Sequence, residues 1–323
     1  MAEEIAADLF RIEIPLPATP LRSLNSYVVR GQDRNLIIDT GLNHPDCRRA
    51  LRSGLRQLGI DLWQTDFFIT HLHADHFSQI SSFAKPGVSR IYFNRPEAEL
   101  IEGDLGIGAM LRYAILSGFP AEELRNGLSF HPGIRFGGQW KPDLRLMAEG
   151  DLLAVGGYEF RCVETPGHTK GHICLYEPRK RLLVAGDHLF IDISPNIQLW
   201  SDTENALGDY LASLDKIAGL EIDLVLPGHR RLFGNHRQRI AELKEHHRQR
   251  AEEVLTILAA GGQDAYQVAA RMSWDIRFSS WERLHVAQRW FATGEAIAHL
   301  KYVQEQGLVR REIVDGRIFF RLS

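Results

Sequence analysis

The sequence predicts an α/β layered fold followed by a small, helical, winged-helix-like C-terminal domain. Three observations carry this prediction. Short apolar runs alternate with helical patterns through roughly the first 230 residues. Histidines and aspartates sit directly after several of these runs. Beyond residue 236 the pattern changes to long helices closed by a hairpin signal. Alternating strands and helices are the mark of a layered α/β architecture.

In chain order, "LFRIEIPL" and "LNSYVVR" read as strands, and "NLIIDTG" as a short apolar strand ending in Asp39, Thr40 and Gly41. "HPDCRRALRSGLRQLGI" places leucines at 51, 55 and 58, a helical spacing stopped by Gly59. "TDFFIT" is the next strand, "FSQISSF" a short helix and "RIYFN" another strand. Residues 95–147 read as an insertion: helices over "EAELIEGDLGIGAMLRYAILSGF" and "AEELRNGL", then a Gly- and Pro-rich loop, "HPGIRFGGQWKPD". Such insertions serve either as lids or as helical cover for a sheet edge. Strands resume at "LLAVGGYEFRCVET", "HICLYEP" and "RLLVAGD". A helix follows over "TENALGDYLASLDKIAGL", with apolar residues at 207, 211, 214 and 217, and then a last strand, "EIDLVLPGH". The first domain is placed at 1–235 and the second at 236–323. The second begins with a long polar helix striped by Ile240, Leu243, Val254 and Ile257, and ends in two short strands around Asp315 and Gly316.

Composition narrows the function class. The 323 residues carry a net charge of −3, with 44% hydrophobic and 24% charged residues. That is ordinary for a soluble globular chain and gives no basic signature for nucleic acid or membrane surface. The acidic start lacks a basic segment leading into an apolar core, and no apolar stretch is long enough to span a bilayer. Three sparse cysteines, Cys47, Cys162 and Cys174, read as buried small hydrophobes in a reducing, cytoplasmic compartment.

The densest chemistry is "THLHADH" at 70–76. Other metal-binding residue types follow strands elsewhere: His168 after "FRCVET", Asp187 ending "LLVAGD", and His229 ending "VLPGH". Imidazole nitrogens and carboxylate oxygens suit zinc, iron or manganese. His71, His73, Asp75, His76, His168, Asp187 and His229 are too many for one tetrahedral ion and suit two ions that share a bridge.

With "IDTG", "THLHADH", "TPGHTKGH", "AGD" and "LPGH" in this order across residues 36–229, the chain resembles the metallo-β-lactamase-fold hydrolases. The resemblance implies an αββα sandwich with the metal site at one edge of two sheets. It implies two divalent ions, zinc being expected and manganese or iron accepted by the same ligands. By that likeness His71, His73 and His168 hold the first, Asp75, His76 and His229 the second, and Asp187 bridges them. A hydroxide between the ions would attack the substrate, with Asp75 relaying a proton. Asp39 reads as the residue that orients a metal-binding histidine, or as a turn-stabilising aspartate. The family continues its histidine motif with one residue and a Gly-Gly pair. Here Phe77, Ser78 and Gln79 follow, which Ser78 tolerates at negative φ and which gives Gln79 a polar arm toward the pocket.

Further residues have competing readings. His172 is either a support for the site or a structural histidine, and His188 points away from it. His246 and His247 read as solvated. Asn196 and Trp200, in the loop after Asp187, are pocket candidates. Arg230 and Arg231 either meet an anionic substrate or lie in solvent. The insertion and the tail are expected to approach the metal edge, with Tyr113, Phe119 and Trp290 lining the pocket. Trp290 reads equally as core.

Three activities fit. Hydrolysis of a small ester, thioester or lactone ranks first, RNA cleavage second and iron-dependent persulfide oxidation third. Residues 236–323 hold 14 Lys and Arg against 11 Asp and Glu, a balance of +3 that leaves −6 for the rest. That is weak for a protein tracking a phosphate backbone. A small-molecule partner is therefore expected rather than nucleic acid or membrane, and the tail reads as a dimerisation or pocket-covering element.

Overall fold

A computed structural model describes residues 1–17, 19–102, 107–127, 143–275 and 280–323. Two sheets face each other. The first runs β1 (Ala2–Ala6), β2 (Leu9–Pro15), β3 (Ser23–Val29), β4 (Asn35–Ile38), β5 (Thr65–Phe68), β6 (Ile91–Asn94) and β7 (Leu144–Met147), in that spatial order. It is antiparallel as far as β4 and parallel from β4 to β7. The second has the order β12 (Leu224–Pro227), β11 (Leu182–Gly186), β10 (Ile173–Glu177), β9 (Tyr158–Glu164) and β8 (Leu152–Val155).

Side-chain alternation explains the layering. Leu36, Ile38 and Phe68 face inward and meet Phe160, Cys162, Ile173, Leu175 and Val184 of the second sheet in one core. Their neighbours Ile37 and Phe67 turn outward and are covered by Leu51 and Leu55 of α1 (Pro45–Gln57). On the other side Cys174, Leu183, Ala185 and Val225 face outward onto Leu207, Tyr210, Leu214 and Ile217 of α6 (Ala206–Ala218). A period of two gives each strand two buried faces, and the result is the helix–sheet–sheet–helix sandwich expected from the sequence. All three cysteines are free and buried.

Several expectations need correction. The acidic start, for which the sequence suggests no element, forms the edge strand β1, paired with β2. "FSQISSF" is not a continuous helix: α2 (Ala74–Phe77) is followed by a single 3₁₀ turn at Ile80–Ser82. The insertion is shorter than 95–147. It holds α3 (Arg95–Glu102), α4 (Ile107–Leu116) and α5 (Ala121–Gly127), but its last residues are β7, which pairs with β6. The loop expected at 131–143 lies almost wholly outside the described residues.

The tail comprises α7 (His236–Leu258), α8 (Ala265–Arg271), α9 (Val286–Glu305) and the hairpin β13 (Val309–Val314) and β14 (Arg317–Leu322). Asp264 caps α8 with a capping box closed by Gln267. The tail shares its core with the second sheet: Ile240, Leu243, Val254, Ile297 and Leu300 pack in the same cluster as α6. No described helix is long and apolar enough to cross a membrane.

His247 is buried rather than solvated, and His246 is half-buried. α9 covers the α7 face that carries His247, and His247 Nδ1–H donates to His299 Nε2 at 3.2 Å while His299 Nδ1–H donates to the Glu295 carbonyl at 2.9 Å. Burial holds both rings in the neutral form, His247 well below its usual range and His299 down to about 3. Between the unfolded value near 6.5 and the folded values, the unfolded chain binds protons that the folded pair refuses. Their contribution is therefore complete above about pH 6.5 and shrinks as pH falls. We expect the urea midpoint to drop from pH 7 to pH 5 more steeply in the wild type than in the double variant His247→Gln, His299→Gln. Equal slopes would contradict this assignment.

Candidate metal centre

Strand ends build the site. β4 gives way to Asp39, which adopts a left-handed φ of 58°, a region that aspartate tolerates better than most residues. The turn directs its carboxylate under the loop after β5. There Oδ1 accepts the Thr70 amide at 2.9 Å, and Oδ2 accepts the Thr70 hydroxyl at 2.9 Å and His76 Nδ1–H at 2.7 Å. The Thr70 hydroxyl in turn accepts His71 Nδ1–H at 3.0 Å. One buried carboxylate thus sets the tautomer and orientation of two histidines.

The second sheet brings the remaining groups. Asp187 follows β11, and its backbone N–H donates to His172 Nε2 at 3.1 Å, while His172 Nδ1–H donates to the Thr165 hydroxyl at 2.8 Å. His172 therefore supports the site through the backbone of Asp187. His168 Nδ1–H donates to the Asn196 carbonyl at 2.9 Å, and His229 Nδ1–H to the Ser23 carbonyl at 2.7 Å. Gly228, before His229, admits no side chain: a Cβ there would lie 2.5 Å from Asp187 Oδ1 and 2.9 Å from His76 Cε1.

With Nδ1 of His71, His76, His168 and His229 occupied in this way, their Nε2 atoms turn toward one another. His71, His73, His168 and Asp187 bring one ligand atom each within 4.8 Å of one another, and so do Asp75, His76 and His229. Asp187 lies between the groups. Its Oδ1 is 3.2 Å from His76 Nε2, and its Oδ2 is 3.4 Å from His229 Nε2 and 3.6 Å from His168 Nε2. His71 Nε2, His76 Nε2, His229 Nε2 and Asp187 Oδ1 are buried without a hydrogen-bond partner. Unsatisfied buried polar atoms are costly, and a cation satisfies this particular set. Neutral imidazoles with carboxylates are also the donor chemistry that divalent transition ions take.

Charge is divided unevenly. Burial and the neighbouring imidazoles hold His71 well below its usual range, and burial with His168 lowers His73 to about 3. Burial opposes the charge on His229, but Asp187 and Asp75 outweigh it and raise that ring to about 10. His76 is raised in the same way against its burial by Asp187, Asp39 and Asp75. Burial works against the Asp75 carboxylate too, yet His76 and His229 pull it down to about 2. The carboxylates thus attract positive charge, which a proton or a cation can supply.

All seven candidate ligands fall in these two groups, and the Asp39 carboxylate lies beside them, 2.7 Å from His76 Nδ1. His188 stays outside the groups. Its ring lies 5.2 Å from that of Tyr210. Gln79 does not reach toward a pocket: it is fully buried, and its Nε2 donates to the Thr40 carbonyl at 2.7 Å. Ser78 keeps φ at −68° and ties its hydroxyl to Ala74 and Asn43. Asn196 supplies its carbonyl to His168. Phe119 and Trp290 are buried together in an aromatic cluster that partly buried Trp200 closes by stacking on Trp290 at 3.8 Å. Tyr113 donates its hydroxyl to Asp202 at 2.8 Å. Arg230 is half-buried, 3.9 Å from Asp192, and Arg231 is exposed. Sequence reasoning missed Thr70, Ser23 and Glu97. The buried Glu97 carboxylate accepts the Gly171 amide at 3.2 Å, beside the His168 loop. Thr70 was legible as the neighbour of His71, whereas Ser23 acts through a backbone carbonyl and leaves no mark in the sequence.

The profile of the metallo-beta-lactamase superfamily matches residues 19–229. The chain belongs to that superfamily. A second profile, the metallo-beta-lactamase-like C-terminal domain, matches residues 251–323. Membership makes the chain a metallo-hydrolase, and the fold implies a divalent metal at this edge. Acyl-coenzyme A thioesterase MBLAC2 from Gallus gallus is 28% identical over 228 residues, 66% of this chain and 74% of that protein. The probable metallo-hydrolase YqjP of Bacillus subtilis (strain 168) is 25% identical over 275 residues, 82% and 85% of the two chains. A metallo-beta-lactamase family protein from Thermus thermophilus matches with a TM-score of 0.81 at 28% identity, covering 99% of this chain and 100% of its own. A beta-lactamase domain protein from Burkholderia ambifaria gives 0.84 at 26% identity, covering 100% and 94%.

Partners behind metal-binding histidines carry measurable affinity, typically 10–100-fold. Asp39→Ala frees both the Thr70 hydroxyl and His76 Nδ1, so we expect metal affinity to fall by roughly that factor, measured by competition with a chromogenic chelator. Wild-type affinity would show that Asp39 only stabilises its turn.

Proposed function

We propose that the protein is a binuclear metal-dependent hydrolase of a small acyl substrate, with a thioester ahead of an ester or lactone. The observation that carries this reading is the Asp187 carboxylate, which touches histidines of both ligand groups. Two cations held close together need an anionic bridge to offset their repulsion. Zinc is the expected metal, since histidine-rich sites suit it, and the same donors accept manganese or iron. Bound there, the ions would supply hydroxide near neutral pH and polarise a carbonyl oxygen.

The chain's own residues divide the remaining work. The Asp187 side chain is 6% exposed and the Asp75 side chain 17%. Asp187 is therefore fitted to a fixed structural place, and Asp75 to the open side where substrate and water arrive. Asp75 Oδ2, 3.3 Å from His229 Nε2, is positioned to take and pass a proton as the leaving group departs. Asp39, Thr70, Ser23 and the Asn196 carbonyl keep the imidazoles aimed while this happens.

The thioester preference rests on the named activity of the thioesterase relative. RNA cleavage is disfavoured by the tail's charge arrangement. Arg239, Arg248, Arg250, Arg289, Arg311 and Arg321 all pair with carboxylates of the same chain, which leaves those guanidinium groups already neutralised before a phosphate backbone arrives.

Zinc-loaded protein assayed against acyl thioesters, simple esters, lactones and a single-stranded RNA is expected to favour the thioesters. RNA cleavage without ester or thioester turnover would overturn the substrate class. Asp187→Ala is expected to lose metal, by elemental analysis, together with activity. A variant that keeps full activity would rule out the bridged mechanism.

A further inference from the structure

His168 depends on a loop that has no regular structure of its own. Residues 187–205 connect β11 to α6, and the carbonyl of Asn196 in this loop accepts His168 Nδ1–H at 2.9 Å. A free loop would place that carbonyl poorly, because each unfixed residue keeps its conformational entropy. The tail helix α9 holds it at three points. Asn196 Nδ2–H donates to Glu295 Oε2 at 2.9 Å, the Leu199 amide donates to the Gly294 carbonyl at 3.0 Å, and Trp200 stacks on Trp290 at 3.8 Å.

Two features show that this contact is built. Gly294 stands inside α9, where glycine costs about 1 kcal/mol relative to alanine. A Cβ there would lie 2.9 Å from Gln198 Cβ and 3.0 Å from the Trp200 ring, so the glycine is what permits the loop to seat. Glu295 is a largely buried carboxylate held from behind by Arg250 of α7, 3.5 Å away. Arg250 is fixed in turn by Glu253 at 2.8 Å and stacks over Trp274 at 4.4 Å. The tether therefore runs from His168 through Asn196 and Glu295 to Arg250, and joins one ligand group to two tail helices.

We infer that Glu295 is a positioning residue for the metal centre, and that the C-terminal helices serve this enzyme by bracing the His168 side of the site. The inference rests on the metal-binding reading of the site. It assigns the tail a role in the same chain and asks for no RNA or second subunit. It also predicts an asymmetry. The group of His71, His73, His168 and Asp187 depends on the tether, and the group of Asp75, His76 and His229 does not, because their supports are Asp39 and Ser23.

The test is calorimetric titration of zinc into chelator-stripped full-length protein, with thermal melting of the stripped forms as a control. For Glu295→Ala we expect one of the two binding events to weaken on the order of 10-fold, with the other little changed. Asn196→Ala removes the same hydrogen bond from the loop side, keeps the carbonyl that His168 uses, and leaves the Arg250 pair in the core untouched. It is expected to give the same selective loss, and it stands in if Glu295→Ala does not fold. The double variant should lose no more than the worse single variant, since both cut one tether. Two unchanged affinities, equal loss at both events, or additive losses would overturn the inference. A wild type that takes up no zinc would instead overturn the metal reading itself.

Discussion

The rest of the structure answers to one electrostatic constraint, the burial of the Asp187 carboxylate among imidazoles from both halves of the sandwich. A carboxylate with an orphaned oxygen in a dry interior is expensive unless positive charge meets it. His76 and His229 meet it in part and are pulled upward by it against their burial, whereas burial pushes His71, His73 and His168 down. The split leaves the site short of positive charge on one side and rich in lone pairs on the other. A divalent cation completes that arrangement better than protons do, because it satisfies the neutral rings as well.

Each ligand group draws on several elements, so the fold can be read as a device for bringing strand ends to a common edge. Period-two alternation buries both faces of the sheets and leaves only their edges for chemistry. Cross-sheet bonds then fix the edge itself. Asn25 Nδ2 and Tyr27 Oη both donate to the Pro227 carbonyl, at 3.0 and 2.8 Å, two residues before His229. The Ile173 amide donates to the Thr70 carbonyl at 3.0 Å, directly before His71. Distances between ligands are therefore set by backbone and core rather than by flexible side chains.

Most strands, the α1 and α6 helices and the cluster of histidines and aspartates at the strand ends were legible because periodicity and residue type write themselves into the sequence. What stayed hidden was carried by other means. Ser23 and Asn196 act through backbone carbonyls, which any residue could supply. β1 and β7 lie at the two edges of their sheet, where one-sided pairing leaves weak patterning. His247 looked solvated because its own helix is polar, and only the arrival of α9 in space buries it. Gln79 looked like a pocket arm because the departure from Gly-Gly was visible, whereas its destination, the Thr40 carbonyl, was not. The sequence led us to expect the tail near the metal edge but did not show the contact made there, since Asn196 and Glu295 are separated by 99 positions.

The measurement that tests the central claim most directly is anomalous diffraction from crystals grown with zinc, recorded on both sides of the zinc absorption edge. Two peaks are expected, one among His71, His73 and His168 and the other among Asp75, His76 and His229, with the Asp187 carboxylate between them. A single peak, or peaks that Asp187 does not bridge, would contradict the binuclear centre.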